Sequence, residues 1–252
     1  MAQLSWQALD EELARWRDSG RTADFWWRDD DATAPCKPFE RLLQLSRTSG
    51  VPLALAVIPD RAVPELFSGL EASVLMHGTD HVNRADPGEK KTEFPEAEAE
   101  AKAAERLAAA RQRLARLAGA RFLPVLAPPW NRFKRALVSR LSGAGLHGLS
   151  GYGARSAAEA APGIRQVNTH VDIVDWHGTR GFVGEHAALR LAVEHLAARR
   201  GGGADAGEPT GWLTHHAVHD AGSWEFLDRL FERTRARGAR WHGAEALFPS
   251  RA

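Results

Sequence analysis

The sequence predicts an α/β protein, a distorted (β/α) barrel of about seven parallel strands with surrounding helices. Short apolar runs alternate along the chain with longer stretches of helical character, which is typical of repeated βα units and a mainly parallel sheet. The length, 252 residues, suits one such barrel. No internal repeat is visible, so we expect a single domain over residues 1–252.

The predicted strands are short runs rich in apolar, β-branched and aromatic residues. In chain order they cover residues 24–28, 52–58, 73–76, 122–126, 146–149, 166–174, 212–214 and 240–241. Helical stretches lie between them, at residues 38–49, 63–70, 95–118, 132–142, 185–200 and 224–237. The first twenty residues add an amphipathic helix with Leu4, Leu9, Leu13 and Trp16 on one face.

Composition excludes several classes of function. The chain carries 33 basic and 32 acidic side chains, and this near-neutral balance argues against a nucleic-acid partner. The single cysteine, Cys36, cannot form an internal disulfide, which suits a reducing compartment. No apolar run approaches the roughly 20 residues of a membrane helix, and the N-terminus is too charged for a secretory signal. We therefore expect a cytoplasmic protein without a membrane or nucleic-acid partner.

Clusters of polar side chains lie in or just after five of the predicted strands. The clusters cover residues 28–31, 77–81, 127–132, 168–176 and 215–216. The carboxyl ends of parallel strands share one face of a barrel, and that face carries the active site in such folds. We therefore expect the five clusters to meet in one site.

The residue types in these clusters indicate metal chemistry. His77 and His81 are four residues apart, a spacing that points both rings the same way on a helical turn. Two imidazoles and one carboxylate can hold a divalent cation while leaving positions open for water and substrate. A second carboxylate can then act as a base and a distant histidine as an acid, since the imidazole pKa lies near working pH.

In this order, the clusters resemble the motifs of the polysaccharide deacetylases with the NodB-homology fold, carbohydrate esterase family four. The family pattern T-F-D-D-G resembles Arg28-Asp29-Asp30-Asp31-Ala32, and H-S/T-x-x-H resembles His77-Gly78-Thr79-Asp80-His81. The R-P-P-Y motif is approached by Ala127-Pro128-Pro129-Trp130, the aspartate before a tryptophan by Asp172 and Asp175 ahead of Trp176, and the strand ending in histidine by Trp212-Leu213-Thr214-His215. The motifs span residues 28–216, about three quarters of the chain.

The resemblance implies a hydrolase that removes an N-acetyl group from an amino sugar or oligosaccharide. By that resemblance a metal, most often zinc, is held by Asp31, His77 and His81. Asp30 is then the base that activates water, and His215 is the acid that protonates the departing amine. The resemblance also places oxyanion and substrate contacts near Trp130, Asn131, Arg132 and Trp176. Asp172 and Asp175 are supporting residues, which either orient His215 or pair with an arginine.

The chain departs from the family pattern at four positions. The three consecutive aspartates leave a second register open, with Asp29 as base and Asp30 as ligand. Ala127 stands where the family has an arginine that orients the base, so Arg132 or Arg28 is a candidate substitute. Gly78 replaces a hydroxyl residue, with Thr79 beside it. His216 follows His215 directly and is the alternative acid.

Two alternatives to a deacetylase remain open at this point: a barrel that binds carbohydrate or metal without catalysis, and a hydrolase of another linear C–N amide bond. The absent arginine favours the first, whereas the spare aspartates and His215 favour an enzyme. The oligomeric state does not follow from the sequence.

Overall fold

Ten strands form one sheet in the computed structural model, which describes residues 6–249. They are β1 (Asp24–Ala32), β2 (Ala54–Val57), β3 (Ser73–His77), β4 (Phe122–Ala127), β5 (Gly148–Leu149), β6 (Glu159–Ala161), β7 (Ile164–Gln166), β8 (Val171–Asp172), β9 (Thr210–Thr214) and β10 (Arg240–His242). The order across the sheet is β6-β7-β5-β4-β3-β2-β1-β9-β8, with β10 also paired to β1. Only β6 and β7 pair antiparallel among the described strands, so the predicted mainly parallel α/β fold is confirmed.

Six α-helices cover the described part of the chain. They are α1 (Trp6–Asp18), α2 (Lys37–Ser49), α3 (Glu100–Ala118), α4 (Glu185–Gly201), α5 (Ala221–Ala236) and α6 (Ala244–Leu247). None of the described helices is long and apolar enough to cross a membrane.

The sheet curls so that its two ends meet in one stretch of chain, residues 164–172. At its start, this stretch pairs with β5 through β7, and at its end it pairs with β9 through β8. Between them, the amide of Thr169 donates to the carbonyl of Gly151 at 3.0 Å, and Tyr152 and Thr169 form a parallel bridge. The amide of His170 then donates to the carbonyl of Gly211 at 2.7 Å. These contacts bring the two sides of the sheet together through one interrupted segment, as in a distorted barrel.

Alternation along the strands divides the core into two layers. Phe25 and Trp27 of β1 pack outward with the helices, whereas Trp26 between them faces a separate inner cluster. The inner cluster includes the small residues Ala54 and Ala56, which suit a narrow barrel. Residues of α6 and Phe248 also belong to this cluster, so the C-terminal segment fills the barrel from below.

The structure corrects several predicted elements. The stretches 63–70 and 132–142 contain only short 3-10 turns, Pro64–Phe67 and Arg135–Arg140. Each stretch buries only two leucine side chains, too few for the apolar face of a longer helix. The predicted strand 166–174 is interrupted between β7 and β8, and neither the antiparallel β6 nor α6 was predicted. Leu4 of the predicted N-terminal face lies outside the described residues.

Candidate active site

A bulge in β1 brings two successive carboxylates to the same end of the barrel. The pairing of β1 with β2 shifts register between Asp29 and Ala32, and Asp31 has a φ of 71°. Regular alternation would place Asp30 and Asp31 on opposite faces of the sheet. The bulge re-aims the side chain of Asp31, as bulges beside functional sites commonly do.

The two histidines of the second cluster meet through a loop and not through a helical turn. His77 is the last residue of β3, whereas His81 lies in the following loop with a φ of 58°. Their ring centroids lie 5.1 Å apart. The prediction that the rings come together is confirmed, but the helical geometry was wrong. The left-handed backbone at Gly78 and His81 turns the second ring back toward the first.

Asp31, His77 and His81 form a group that could hold a metal ion, with one ligand atom of each residue within 4.8 Å of the others. Oδ1 of Asp31 lies 3.2 Å from Nε2 of His77 and 3.3 Å from Nε2 of His81. Nδ1 of His77 lies 2.9 Å from the carbonyl oxygen of Ala127. This contact places the proton on Nδ1 and leaves Nε2 with a free electron pair.

These residues fit a divalent cation. No well-directed hydrogen bond from the described residues reaches Oδ1 of Asp31, although this oxygen is buried. Buried carboxylate oxygens are normally satisfied by donors or by a cation. Two imidazoles and a carboxylate are also the ligand types that zinc and related metals prefer.

The charges in this group depend strongly on one another. Burial raises the pKa of Asp31, but the imidazoles of His77, His215 and His81 together lower it by more, so the pKa lies below its ordinary value. Burial lowers the pKa of His77, but the charge of Asp30 and the contact with Asp31 outweigh it and raise the pKa. Burial and the charge of His77 together lower the pKa of His81.

Arg28 holds Asp30 beside this group. Nε of Arg28 donates to Oδ1 of Asp30 at 2.8 Å, and Nη2 donates to Oδ2 at 3.0 Å. Oδ2 of Asp30 lies 3.9 Å from Nδ1 of His77. Both Arg28 and Asp30 are buried. Two arginines were candidates to replace the family arginine that is absent at Ala127. Arg28 makes the contact with Asp30, whereas Arg132 is exposed and donates to the carbonyl of Lys91.

Two tryptophans contact histidines of the predicted site. Trp130 lies 4.4 Å from the ring of His81, between centroids, and Trp176 lies 4.7 Å edge-on from the ring of His215. Trp130 has a φ of 56°, a left-handed conformation that is costly for an aromatic residue and that marks functional sites. The neighbouring Asn131 accepts a hydrogen bond from Arg28 at 2.9 Å.

Asp172, in the polar cluster at residues 168–176, lies beside Trp176. Its Oδ2 accepts a hydrogen bond from Nε1 of Trp176 at 2.8 Å. Burial raises the pKa of Asp172, and the opposing charge of His215 lowers it by less. The carboxylate of Asp175 instead accepts hydrogen bonds from the amides of Gly178 and Thr179, so it closes a turn, and within residues 6–249 it pairs with neither His215 nor an arginine.

Asp29 and His216 lie together on the outer side of β1. Oδ1 of Asp29 lies 2.5 Å from Nδ1 of His216, and Oδ2 accepts hydrogen bonds from the amide of His216 and the hydroxyl of Thr214. Both Asp29 oxygens are thus used in fastening β9 to β1. The structure therefore places Asp30 and Asp31, and not Asp29, beside His77, and it places His215 beside Trp176.

A second group of metal-capable residues, His170, His195 and Glu208, lies at the opposite end of the barrel, where β8 and β9 begin. Nδ1 of His170 accepts a hydrogen bond from the amide of Gly211 at 2.9 Å, so the ring proton is on Nε2, facing Glu208 at 3.3 Å. A protonated Nε2 is not a metal ligand. The carboxylate of Glu208 accepts hydrogen bonds from the backbone amides of Arg155 and Asn168. The group therefore connects chain segments at the lower end of the barrel.

The sequence did not single out two residues that support the site. Ser150 accepts hydrogen bonds from Nη1 of Arg28 at its carbonyl and its hydroxyl, both at 2.7 Å. Its position directly after the predicted strand 146–149 was a usable signal. Glu93 is buried against the loop of His77 and His81, and nothing in the polar stretch around it indicates this.

Comparison with known proteins identifies the fold. A scan against protein-family models and a search of curated proteins both find no match. Solved structures do match. A family 4 carbohydrate esterase from Streptomyces lividans, in complex with acetate, has a TM-score of 0.57 at 16% identity, covering 86% of this chain and 91% of that one.

Two further matches come from different organisms. The chitin deacetylase of Colletotrichum lindemuthianum has a TM-score of 0.57 at 14% identity, over 91% of this chain and 89% of that one. A family 4 acetyl xylan esterase from Clostridium thermocellum, in complex with a cobalt ion, has a TM-score of 0.53 at 14% identity, over 89% and 90%. The chain therefore has the fold of the polysaccharide deacetylases of carbohydrate esterase family 4.

Proposed function

We propose that the protein is a metal-dependent hydrolase that removes an N-acetyl group from an amino sugar or oligosaccharide. One observation carries this proposal. The Nε2 atoms of His77 and His81 both lie close to the buried Oδ1 of Asp31, and Asp30 lies beside His77. A metal-binding scaffold alone has no need of a second buried carboxylate with its own arginine. Structures of the same fold, described above, include a deacetylase and complexes with acetate and with cobalt, which supports the same reaction class.

Asp31, His77 and His81 would hold the cation, and zinc is the first candidate because the ligands are two imidazoles and one carboxylate. A divalent metal at such a site makes water more acidic and polarises a carbonyl oxygen. The contact between His77 and the carbonyl of Ala127 fixes the tautomer and the ring orientation needed for binding.

Asp30 would take the proton from the water that attacks the amide carbon. Its two hydrogen bonds from Arg28 hold the carboxylate in one orientation. This arrangement differs from the one that the family's R-P-P-Y motif implies, in which the orienting arginine belongs to that motif. Here the orienting side chain comes from the same strand as the base, two residues before it.

His215 would donate a proton to the amide nitrogen as the C–N bond breaks, giving acetate and a free amine. The ring lies against the edge of Trp176, which Asp172 holds in place. Trp130, beside His81, and Trp176, beside His215, would provide aromatic surfaces for a sugar ring. The turn at Trp130 and Asn131 is the proposed place of the oxyanion contact.

The second candidate function is a barrel that binds carbohydrate or metal without turning it over. The sequence feature behind it was the absence of arginine at Ala127, and the Arg28 contact with Asp30 removes most of that argument. A hydrolase of another linear amide remains the alternative within the enzyme class. We also propose a cytoplasmic location and a single domain, as the sequence predicts.

Release of acetate tests the proposal. Purified protein, stripped of metal and reloaded with Zn²⁺ or Co²⁺, is incubated with N-acetylglucosamine oligomers of increasing length. We expect metal-dependent acetate release that Asp30→Asn suppresses and that Asp86→Asn, a matched change outside the site, leaves unaltered. Acetate release that persists in the stripped protein would contradict metal dependence. Sugar binding without acetate release would support the non-catalytic candidate.

A further inference from the structure

We infer that Glu93 is a positioning residue that sets the place of His81 in the metal-ligand group. The inference rests on the metal-ligand part of the proposed function and is independent of which amide is hydrolysed. Glu93 lies twelve residues after His81, in a polar stretch between β3 and α3, yet its side chain is fully buried.

The carboxylate of Glu93 accepts hydrogen bonds from the backbone between the two histidines. Oε1 accepts from the amide of Thr79 at 2.8 Å, and Oε2 accepts from the amide of His81 at 3.2 Å. The hydroxyl of Thr79 also donates to Oε1. One buried carboxylate thus binds two alternate amides of a five-residue segment that begins and ends with a proposed metal ligand.

Glu93 also explains the glycine that departs from the family pattern. Gly78 has a φ of 63°, and a Cβ built on it would lie 2.1 Å from Oε2 of Glu93. It would also lie 2.6 Å from the ring of Pro129. The carboxylate therefore occupies the room that a side chain at position 78 would need. Gly78 leaves room for the carboxylate of Glu93, and that carboxylate binds the loop, so the two residues together determine its conformation.

Arg106 of α3 also contacts the buried carboxylate. Its Nη1 lies 3.4 Å from Oε1 of Glu93 and donates to the hydroxyl of Thr79 at 3.0 Å. The same guanidinium donates to Glu98 at 2.8 Å, so its position does not depend on Glu93 alone.

This arrangement has a direct consequence for His81. Its left-handed backbone is uncommon for a residue other than glycine, and such a conformation persists only where the surroundings hold it. The hydrogen bond from its own amide to Glu93 holds that conformation, and with it the 3.3 Å approach of Nε2 to Asp31. Glu93 therefore acts on the metal through His81 without touching it.

The test is Zn²⁺ affinity, measured by competition with a chromophoric chelator on the full-length protein without substrate. Glu93→Gln replaces one acceptor oxygen by an N–H group facing backbone N–H donors, and we expect affinity to fall about 10- to 100-fold. Glu98→Gln is the matched control, because it changes the other partner of Arg106 without touching the loop, and its affinity should stay within about threefold of wild type.

A double-mutant cycle with His81→Ala separates positioning from a general structural effect. If Glu93 acts through His81, Glu93→Gln should weaken Zn²⁺ binding little once His81 is already removed. The Co²⁺ absorption spectrum of Glu93→Gln should also differ from wild type, because the ligand geometry changes. An equal loss of affinity in both backgrounds, or wild-type affinity in Glu93→Gln, would overturn the inference. Absence of acetate release by a protein that binds Zn²⁺ would count against the reaction and not against Glu93.

Discussion

The guanidinium of Arg28 donates to both carboxylate oxygens of Asp30, at 2.8 and 3.0 Å, although the two residues are separated by only one position in β1. The same guanidinium donates to Ser150 and Asn131, so it joins β1 to the ends of two other strands. A planar, fork-shaped donor is required for such a set of contacts, which is why lysine is not equivalent here.

Arg28→Lys tests whether this contact orients the base. The variant keeps the positive charge but loses the paired hydrogen bonds, so we expect kcat for acetate release to fall about 100-fold, as for a misplaced catalytic group. Zn²⁺ stoichiometry should stay at the wild-type value because Arg28 does not contact the metal ligands. Wild-type kcat in this variant would show that Asp30 needs no orienting partner.

Asp30→Asn tests the register of the three aspartates. The amide retains the shape of the side chain but cannot accept the proton, so turnover should drop about 10²- to 10⁴-fold while Zn²⁺ remains bound. Metal content and acetate release are measured on the same preparation. Loss of the metal would instead make Asp30 a ligand and shift the register by one residue.

The two adjacent histidines should respond differently to the same substitution. His215→Gln should reduce turnover about 10²- to 10⁴-fold with little change in the free energy of unfolding, since the ring is proposed as the acid. His216→Gln should lower the free energy of unfolding by about 3–5 kcal/mol, because it leaves the buried carboxylate of Asp29 without its cationic partner. Urea unfolding and acetate release measure the two effects. The reverse assignment would be indicated by a stable, inactive His216→Gln.

The lower end of the barrel should make the protein sensitive to acid. Burial, followed by the charges of His170 and Arg199, lowers the pKa of His195 from 6.5 to about 2. Below pH 6.5 the unfolded chain binds a proton that the folded chain does not, so stability falls by about 1.4 kcal/mol per pH unit from this group.

Urea unfolding of metal-free protein at pH 6.5 and 4.5 measures this contribution. The loss of stability between the two values should be about 2–3 kcal/mol smaller in His195→Gln, which cannot titrate. Equal losses in wild type and His195→Gln would show that His195 is protonated in the folded protein.

The sequence was most informative where chemistry coincides with the ends of apolar strands. The runs before Asp30, His77 and His215 are parallel strands, and the carboxyl ends of parallel strands share one face, so the meeting of these residues could be predicted. The relative direction of successive side chains could not, because it depends on the bulge at Asp31 and on left-handed backbone at His81. Neither feature could be located from the local sequence, because aspartate and histidine adopt a positive φ more often than most residues other than glycine but still do so at only a small fraction of positions.

Support from distant residues was also hidden from the sequence. The sequence allows Asp29 to be the base because three aspartates are consecutive. The structure shows instead that its side chain faces away from the site and binds Thr214 and His216. Glu93 follows a polar stretch and becomes recognisable only when the loop of His77 and His81 folds over it. Such roles depend on tertiary contacts and not on periodicity.

The number of Zn²⁺ ions bound per chain tests the central claim most directly. Equilibrium dialysis followed by elemental analysis should give one tightly bound ion in the wild type and in Asp30→Asn, and none at the same free concentration in His77→Ala. A wild-type protein that binds no ion, or a His77→Ala variant that keeps it, would contradict a site formed by Asp31, His77 and His81.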